Sequence, residues 1–220
     1  MNESLEQLGG AIATYNLTIW PMQVVAYLLG IAALILVVKK TRYSSKIIAA
    51  ILASFWLWTG IVFWLPSGRA FPPAYGFAIL LIIQGVLFLG GVVKPSLSFR
   101  FRPEVFSITG ILLALYAMVG YPILGYFVGH RYPQSASFGV FPCPAAIFTF
   151  AMLLCTDKKV PKYLLVIPFL WSLTGFLWVS AGMVEDIGLI IAGLLGTGMI
   201  VYRDRKVIAM ETQRQASGRA

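Results

Sequence analysis

Trp56-Leu57-Trp58-Thr59-Gly60 and Trp171-Ser172-Leu173-Thr174-Gly175 set the same Trp-x-x-Thr-Gly pattern at the centre of two apolar runs. Each run is the middle member of a group of three. The first group opens at Trp20-Pro21-Met22-Gln23, and its leading run ends on Lys39-Lys40. The second opens at Phe141-Pro142-Cys143-Pro144, and its leading run ends on Lys158-Lys159. A duplication of this kind sets the architecture, and in membranes parallel repeats are a recurring plan for transporters.

Working outward, the apolar runs cover residues 18–38, 47–65, 73–93, 104–128, 141–156, 162–181 and 185–202. Each approaches the ~20 residues that a helix needs to cross a bilayer, the fifth being short. A chain of 220 residues that is 59% hydrophobic and 11% charged has no room for a water-soluble domain beside them. The expected fold is an all-α integral membrane bundle of seven transmembrane helices forming a single membrane domain over 1–220. Residues 18–93 form the first three-helix repeat, 104–128 a linker helix and 141–202 the second repeat. The stretch 203–220 is a cytoplasmic tail. An odd linker lets the second triplet start on the same side as the first. The plan is similar to that of SWEET-type sugar transporters, an analogy of layout and not of sequence.

Charge orients the bundle. With the loop after the first span placed in the cytoplasm, fifteen of the seventeen basic residues fall on that side. They run from Lys39, Lys40, Arg42 and Lys46 through Lys94, Arg100 and Arg102 to Lys158, Lys159 and Lys162, and end in the tail. Only Arg69 and Arg131 lie opposite. This is the positive-inside pattern of a chain with its N-terminus out and its C-terminus in. The net charge of +9 then reflects topology and attraction to anionic headgroups, not a nucleic-acid partner. The acidic start, Met1-Asn2-Glu3, lacks the basic region of a cleaved signal peptide. Residues 3–14 are expected on the outer surface, with Asn16 or Thr18 capping the first span. Cys143 and Cys155 share one predicted helix, roughly 18 Å apart, and cannot bridge each other.

Two constellations carry chemistry. At mid-membrane, Trp56, Thr59, Gln84, Trp171, Ser172 and Thr174 offer ring faces, hydroxyls and an amide to a small-molecule ligand between the repeats. Pro168 frees a backbone carbonyl near the same depth. The competing interpretation is helix packing, with the hydroxyls bonded back to their own helices and Gln84 joining two helices. On the outer face, His130, Cys143, Glu185 and Asp186 are candidate metal ligands, of a set that favours copper or zinc. Against this, acidic residues at a helix start are what the macrodipole favours. Residues 130–144 are expected to fold over the outer end, burying Phe138, Phe141 and the ring faces of Tyr132 and Pro142. His130 then approaches Glu185 and Asp186, and the loop responds to pH between roughly 6 and 8.

Several classes fall away. No lysine lies within 185–202, so retinal is not expected, and a lone His130 cannot give bis-histidine haem. No catalytic set is evident, and an enzyme is not the leading expectation. No ionisable residue lies at the centre of a span, which points to a neutral solute or to transport without an intramembrane carboxylate relay. Gly188, Ala192 and Gly196 form a small-residue face for a homo-oligomer or a membrane partner. Three functions remain: transport or binding of a small neutral solute between the repeats, a periplasm-facing metal-binding protein or metal-dependent enzyme, and an accessory subunit.

The segments Gly129-His130-Arg131-Tyr132-Pro133, Phe138-Gly139 with Pro142-Cys143-Pro144, Trp171-Ser172 and Glu185-Asp186-Ile187-Gly188-Leu189 carry a family likeness. The chain resembles an uncharacterised bacterial family of small multi-pass membrane proteins, a domain of unknown function. That resemblance implies a bacterial inner membrane location and no activity.

Overall fold

The computed structural model describes the backbone of residues 2–69, 71–93 and 97–217, and the side chains of all of these but 2–8 and 207–217. Lys94 and Arg219, counted above among the basic residues, lie outside the described residues, and the Arg214 side chain is likewise not described. Among the described residues eight helices follow one another: α1 Asn2–Thr18, α2 Met22–Val38, α3 Ser44–Ser67, α4 Ala74–Val93, α5 Val105–Phe127, α6 Pro142–Leu154, α7 Tyr163–Ser180 and α8 Ile187–Ser217. Five of them (α3, α4, α5, α7 and α8 with its leading turn) are long and apolar enough to cross a membrane. The end of α1 and α2 qualify as a sixth if taken together, although they meet at 81° around Pro21. The helix α6 is apolar but only 13 residues long. Among the described residues there is no strand, only an isolated bridge between Phe99 and Thr156.

The helices turn branched aliphatic side chains outward, while polar residues, small residues and large aromatic rings such as Trp56, Phe88, Phe148 and Trp171 lie within. Val24, Leu28, Ile31 and Ile35 of α2 are exposed, as are Ile79, Ile83 and Val86 of α4 and Leu112, Val119 and Ile123 of α5. Gln23, Ala33, Ala78, Gln84, Ala114 and Thr149 are buried. That distribution suits lipid outside and close helix packing inside. At the centre lies α6, every residue of which is buried, packed against α3, α5, α7 and α8.

Proline shapes three helices. Pro122 lacks the N–H that would bond Met118, and the ladder just before it relaxes into a π-helical turn over Tyr116–Gly120. The freed Met118 carbonyl accepts the Tyr27 hydroxyl at 2.9 Å. Pro168 frees the Leu164 carbonyl in the same way, and Gln84 Nε2 donates to it at 3.2 Å. A second π-turn, Thr59–Trp64, precedes Pro66 in α3. The helix α7 breaks at Thr174.

Middle and last helices of the two groups meet at matching points. A side-chain carbon on Gly60 would strike Ile82 and approach the Ala78 carbonyl; one on Gly175 would strike Ile190 and approach the Asp186 carbonyl. One on Gly85 would strike Leu57; one on Gly193 would overlap Ser172. The leading helices differ. The helix α2 packs on α3 and makes at most marginal contact with α4, whereas α6 packs on both α7 and α8.

The last helix does not stop at residue 202. It continues through Ser217, so the stretch expected as a tail is helical as far as it is described. The small-residue face is not free either. Gly188 lies against the Tyr116 ring, Gly196 against Phe150, and Ala192 is fully buried. These small residues admit α5 and α6 of the same chain, so the expected docking face is already covered.

Candidate functional site

Loop contacts sort the bundle into two ends. At one, Phe101 N–H bonds the Val37 carbonyl, Arg100 N–H the Cys155 carbonyl, and Asp157 N–H the Ser98 carbonyl. The loops after α2, α4 and α6 therefore meet there, together with Arg203 and Asp204 of α8. This is the basic end. At the other lie the turn after α1, the 128–141 loop and the turn before α8. This is the acidic end.

The acidic end is closed by the 128–141 loop, which folds back into the bundle as expected. Phe138 is fully buried, edge-on to Phe55 and Phe148 with ring centroids 5.5 and 5.1 Å away, and beside Tyr27. Gly139 makes this entry possible: its φ is +73°, and Ala26 and Phe55 leave no space for a side chain. Phe141 packs on Tyr15 and Phe63, and Pro142 is buried. Tyr132 departs from expectation. The residue is 53% exposed, because the loop turns inward only after Pro133.

Asn16 does not cap a helix. Its amide donates to the carbonyls of Pro133 and Ser135 at 2.7 and 2.8 Å, and its oxygen accepts from Gln23 and Ser137. The pair Asn16 and Gln23 thus ties the first helices to the loop. Two polar residues seven apart around an apolar turn were the visible signal for this.

Beneath the loop, His130 Nδ1 lies 3.0 and 3.1 Å from the two Glu185 carboxylate oxygens. The His130 backbone N–H bonds the Gly125 carbonyl at the end of α5, which fixes the ring over α8. Glu185 and Asp186 are only 1% and 2% exposed, in the 3₁₀ turn that leads into α8. Asp186 accepts the Tyr121 hydroxyl at 2.8 Å, and the Cys143 thiol lies near the same carboxylate. The Tyr116 hydroxyl donates to the Glu185 carbonyl at 2.7 Å. Trp171 Nε1 lies beside the Cys143 sulfur and makes no hydrogen bond of regular geometry. Tyr116 and Tyr121 were not anticipated from sequence. The hint was their place at the start of the π-turn before Pro122 and just after it, where a helix re-aims its side chains.

The four expected metal ligands are therefore neighbours but form two pairs, His130 with Glu185 and Cys143 with Asp186. Among the described residues no three His, Cys, Asp or Glu side chains converge as a metal would require.

The mid-depth set is placed differently again. Thr59, Ser172 and Thr174 each bond a carbonyl three residues back in their own helix. Trp56 Nε1 donates to Thr149 at 2.9 Å, joining α3 to α6. Gln84 serves the Pro168-freed carbonyl, while its oxygen has no partner. Trp171 stacks edge-on with Trp64 and Phe77. Every polar group but that oxygen and the Trp171 N–H has a partner within the protein. This is the packing interpretation of the set.

At the basic end, Arg203 caps the end of α6. Its guanidinium reaches the carbonyls of Leu154 and Thr156 at 3.1 and 3.0 Å, and the Thr156 hydroxyl at 3.0 Å. Its Nε pairs with Asp204 at 3.0 Å. Lys40 bridges Ser98 and Asp157. Burial pushes the Asp157 carboxyl up, but its bonds with Ser98 and Lys40 and the charges of Lys40 and Arg102 outweigh this and hold it below the usual value.

No curated protein and no solved structure matches this chain. A family model does, over residues 5–211, described as a family of unknown function, DUF6064. The match covers nearly the whole chain, both ends of the bundle included, and the protein belongs to that family.

Proposed function

We propose that this protein carries a small neutral solute across a membrane, that the acidic end is its working site, and that the 128–141 loop is the gate, latched by His130 on Glu185. The observation that carries this is the burial of Glu185 and Asp186. An acidic pair needed only for a helix dipole would sit in water, where it costs nothing. Enclosing two carboxylates inside an apolar bundle is expensive, and such residues in membrane proteins mark proton or substrate paths. One imidazole and two carboxylates suffice to take up and release a proton, and the Tyr121 hydroxyl bonds one of the carboxylates. The solute thus remains neutral while the protein's own groups supply the proton coupling. The irregular segments lie towards this end too: the π-turns of α3 and α5, the break in α7 and the 3₁₀ turn before α8.

The chain is taken to cross the membrane seven times, with the basic end in the cytoplasm of a bacterial inner membrane and the N-terminus outside. Gathering of alternate loops at one end supports this. The 13 residues of α6 span about 20 Å, less than the hydrocarbon thickness. Since α6 is enclosed by other helices, the buried segments flanking it can complete the crossing without meeting lipid. The matched contacts support an internal repeat, with α3 and α4 as the counterparts of α7 and α8. The three-helix form, 18–93 with 141–202, extends this to α2 and α6, which have taken different positions.

The test is transport in proteoliposomes holding a pH-sensitive dye, challenged with a panel of small sugars, polyols and amides. Proton movement driven by at least one solute, and lost in Glu185→Gln, is expected. No movement with any solute, or movement indifferent to Glu185→Gln and Asp186→Asn, would overturn the proposal.

A further inference from the structure

The basic end holds a cleft that the gating scheme does not use. It encloses about 450 Å³ between the start of α5, the end of α6 and α8. Its lining carries Arg100, Arg102, Lys158, Lys159 and Arg203 against three carboxylates, Glu104, Asp157 and Asp204. Two of those carboxylates are already engaged, Asp157 by Lys40 and Asp204 by Arg203. The Arg203 guanidinium is itself taken up by the end of α6. Among the described residues, Arg100, Arg102 and Lys158 form no ion pair, Arg102 acting on Asp157 only as a nearby charge, and Glu104 is the one lining carboxylate in the same position. All three cations are exposed on the rim. The local excess is therefore positive and sits on groups free to bind.

We infer that this cleft binds a phosphate ester, through Arg100, Arg102 and Lys158. Two guanidinium groups match the bidentate geometry of a phosphate, and a lysine adds a point charge. The volume exceeds that of a bare phosphate ion and suits a headgroup with its glycerol or sugar, within the usual range of ligand clefts. Phe106 and Leu154 supply apolar wall, and Arg203 lies over the Phe106 ring, 6.0 Å from its centroid. The adjoining face of α5 exposes Val105 and Ile108, where an acyl chain would run. A phosphate of this kind reaches the site either on an anionic lipid or as a soluble ester.

The experiment uses the purified full-length protein in detergent, in two arms. Native mass spectrometry follows retention of phosphatidylglycerol against phosphatidylcholine, and thermal unfolding follows added glycerol 3-phosphate. The triple variant Arg100→Ala, Arg102→Ala, Lys158→Ala should weaken binding by more than about tenfold, since each charge-assisted bond lost is worth at least that factor. Lys39→Ala, Arg42→Ala, Lys46→Ala removes the same charge at the same end outside the cleft and should leave binding within about twofold. All six residues are exposed, so both variants should fold, and their unfolding midpoints report it. Saturable binding of phosphatidylglycerol alone supports a lipid headgroup site. Binding of glycerol 3-phosphate supports a soluble ester. Binding of neither, or equal loss in both variants, would overturn the inference and leave only diffuse attraction between the basic end and anionic membranes.

Discussion

At the basic end, charged side chains tie loops and a helix end together. Arg203 closes the end of α6, and Lys40 ties three loops together through Ser98 and Asp157. At the acidic end, charged side chains hold one another. Glu185 faces His130, and Asp186 faces Tyr121 and Cys143, with no lysine or arginine in the network. Removing a charge should therefore cost stability at the first end and activity at the second. Burial alone does not distinguish a structural ion from a working one. Whether it ties loops and helix ends or closes a buried network of titratable groups does.

The largest effect should come from the basic end. Arg203→Ala leaves the last carbonyls of α6 without that donor and strips Asp204 of its cation while the Val160 N–H remains, a loss of about 3 kcal/mol in unfolding free energy measured by SDS titration. Arg203→Lys should recover only part of it, because an ammonium cannot reproduce the fork. Should Arg203→Ala unfold like wild type, the capping role is wrong and the comparison loses one side.

Next come the close approaches that pair the two halves. Gly85→Ala and Gly193→Ala each push a methyl into the facing helix, at Leu57 and Ser172, and each should cost about 1–3 kcal/mol. Similar losses sharpen the correspondence between the helix pairs. A neutral Gly193→Ala would break it.

The acidic end should behave oppositely. Glu185→Gln keeps the shape and an acceptor for His130 while removing a buried charge, so stability should hold or rise by about 1 kcal/mol as transport fails. A variant that unfolds early would make Glu185 a structural residue like Arg203.

Smallest is the Lys40–Asp157 tie. Because the Asp157 carboxyl is held below its ordinary value in the folded state, its stabilisation is complete above about pH 4 and is lost as pH falls through the folded value. Unfolding midpoints should be flat in this respect from pH 7 to pH 5 and decline in stronger acid, with the decline reduced in Asp157→Asn. Lys40→Ala should cost about 0.5 kcal/mol or less, since the lysine is well exposed.

Much of this was legible in the sequence because it follows from local chemistry. The apolar runs placed α2 to α7 and the start of α8 to within a few residues, though not α1 or the end of α8; basic loops marked one end, and the apolar content of Phe138 and Phe141 required the 130–144 segment to fold inward. The approach of His130 to Glu185 followed from that folding. What could not be read was which residue shares which environment. Glu185 and Asp186 look like an ordinary helix start, and only packing of α5 and the loop above them shows that they are enclosed. Gly188, Ala192 and Gly196 look like a docking stripe, and only the position of Tyr116 and α6 shows that the chain has docked on itself. Pro168 and Gln84 were each noticed, but the bond between Gln84 and the carbonyl that Pro168 frees depends on α4 meeting α7. Tyr132 looked too apolar for solvent, and the turn at Pro133 leaves it outside.

The two cysteines test the central claim most directly, since Cys143 lies at the acidic end and Cys155 at the basic end, both buried and free. The measurement is the rate at which a membrane-impermeant maleimide labels each, in wild type and in His130→Ala. If the 128–141 loop is a gate latched by His130, the variant should label at Cys143 several-fold faster while Cys155 stays as slow as before. Equal acceleration at both cysteines would mean general loosening of the bundle, and no acceleration at Cys143 would mean that His130 latches nothing; either result contradicts a gate at the acidic end.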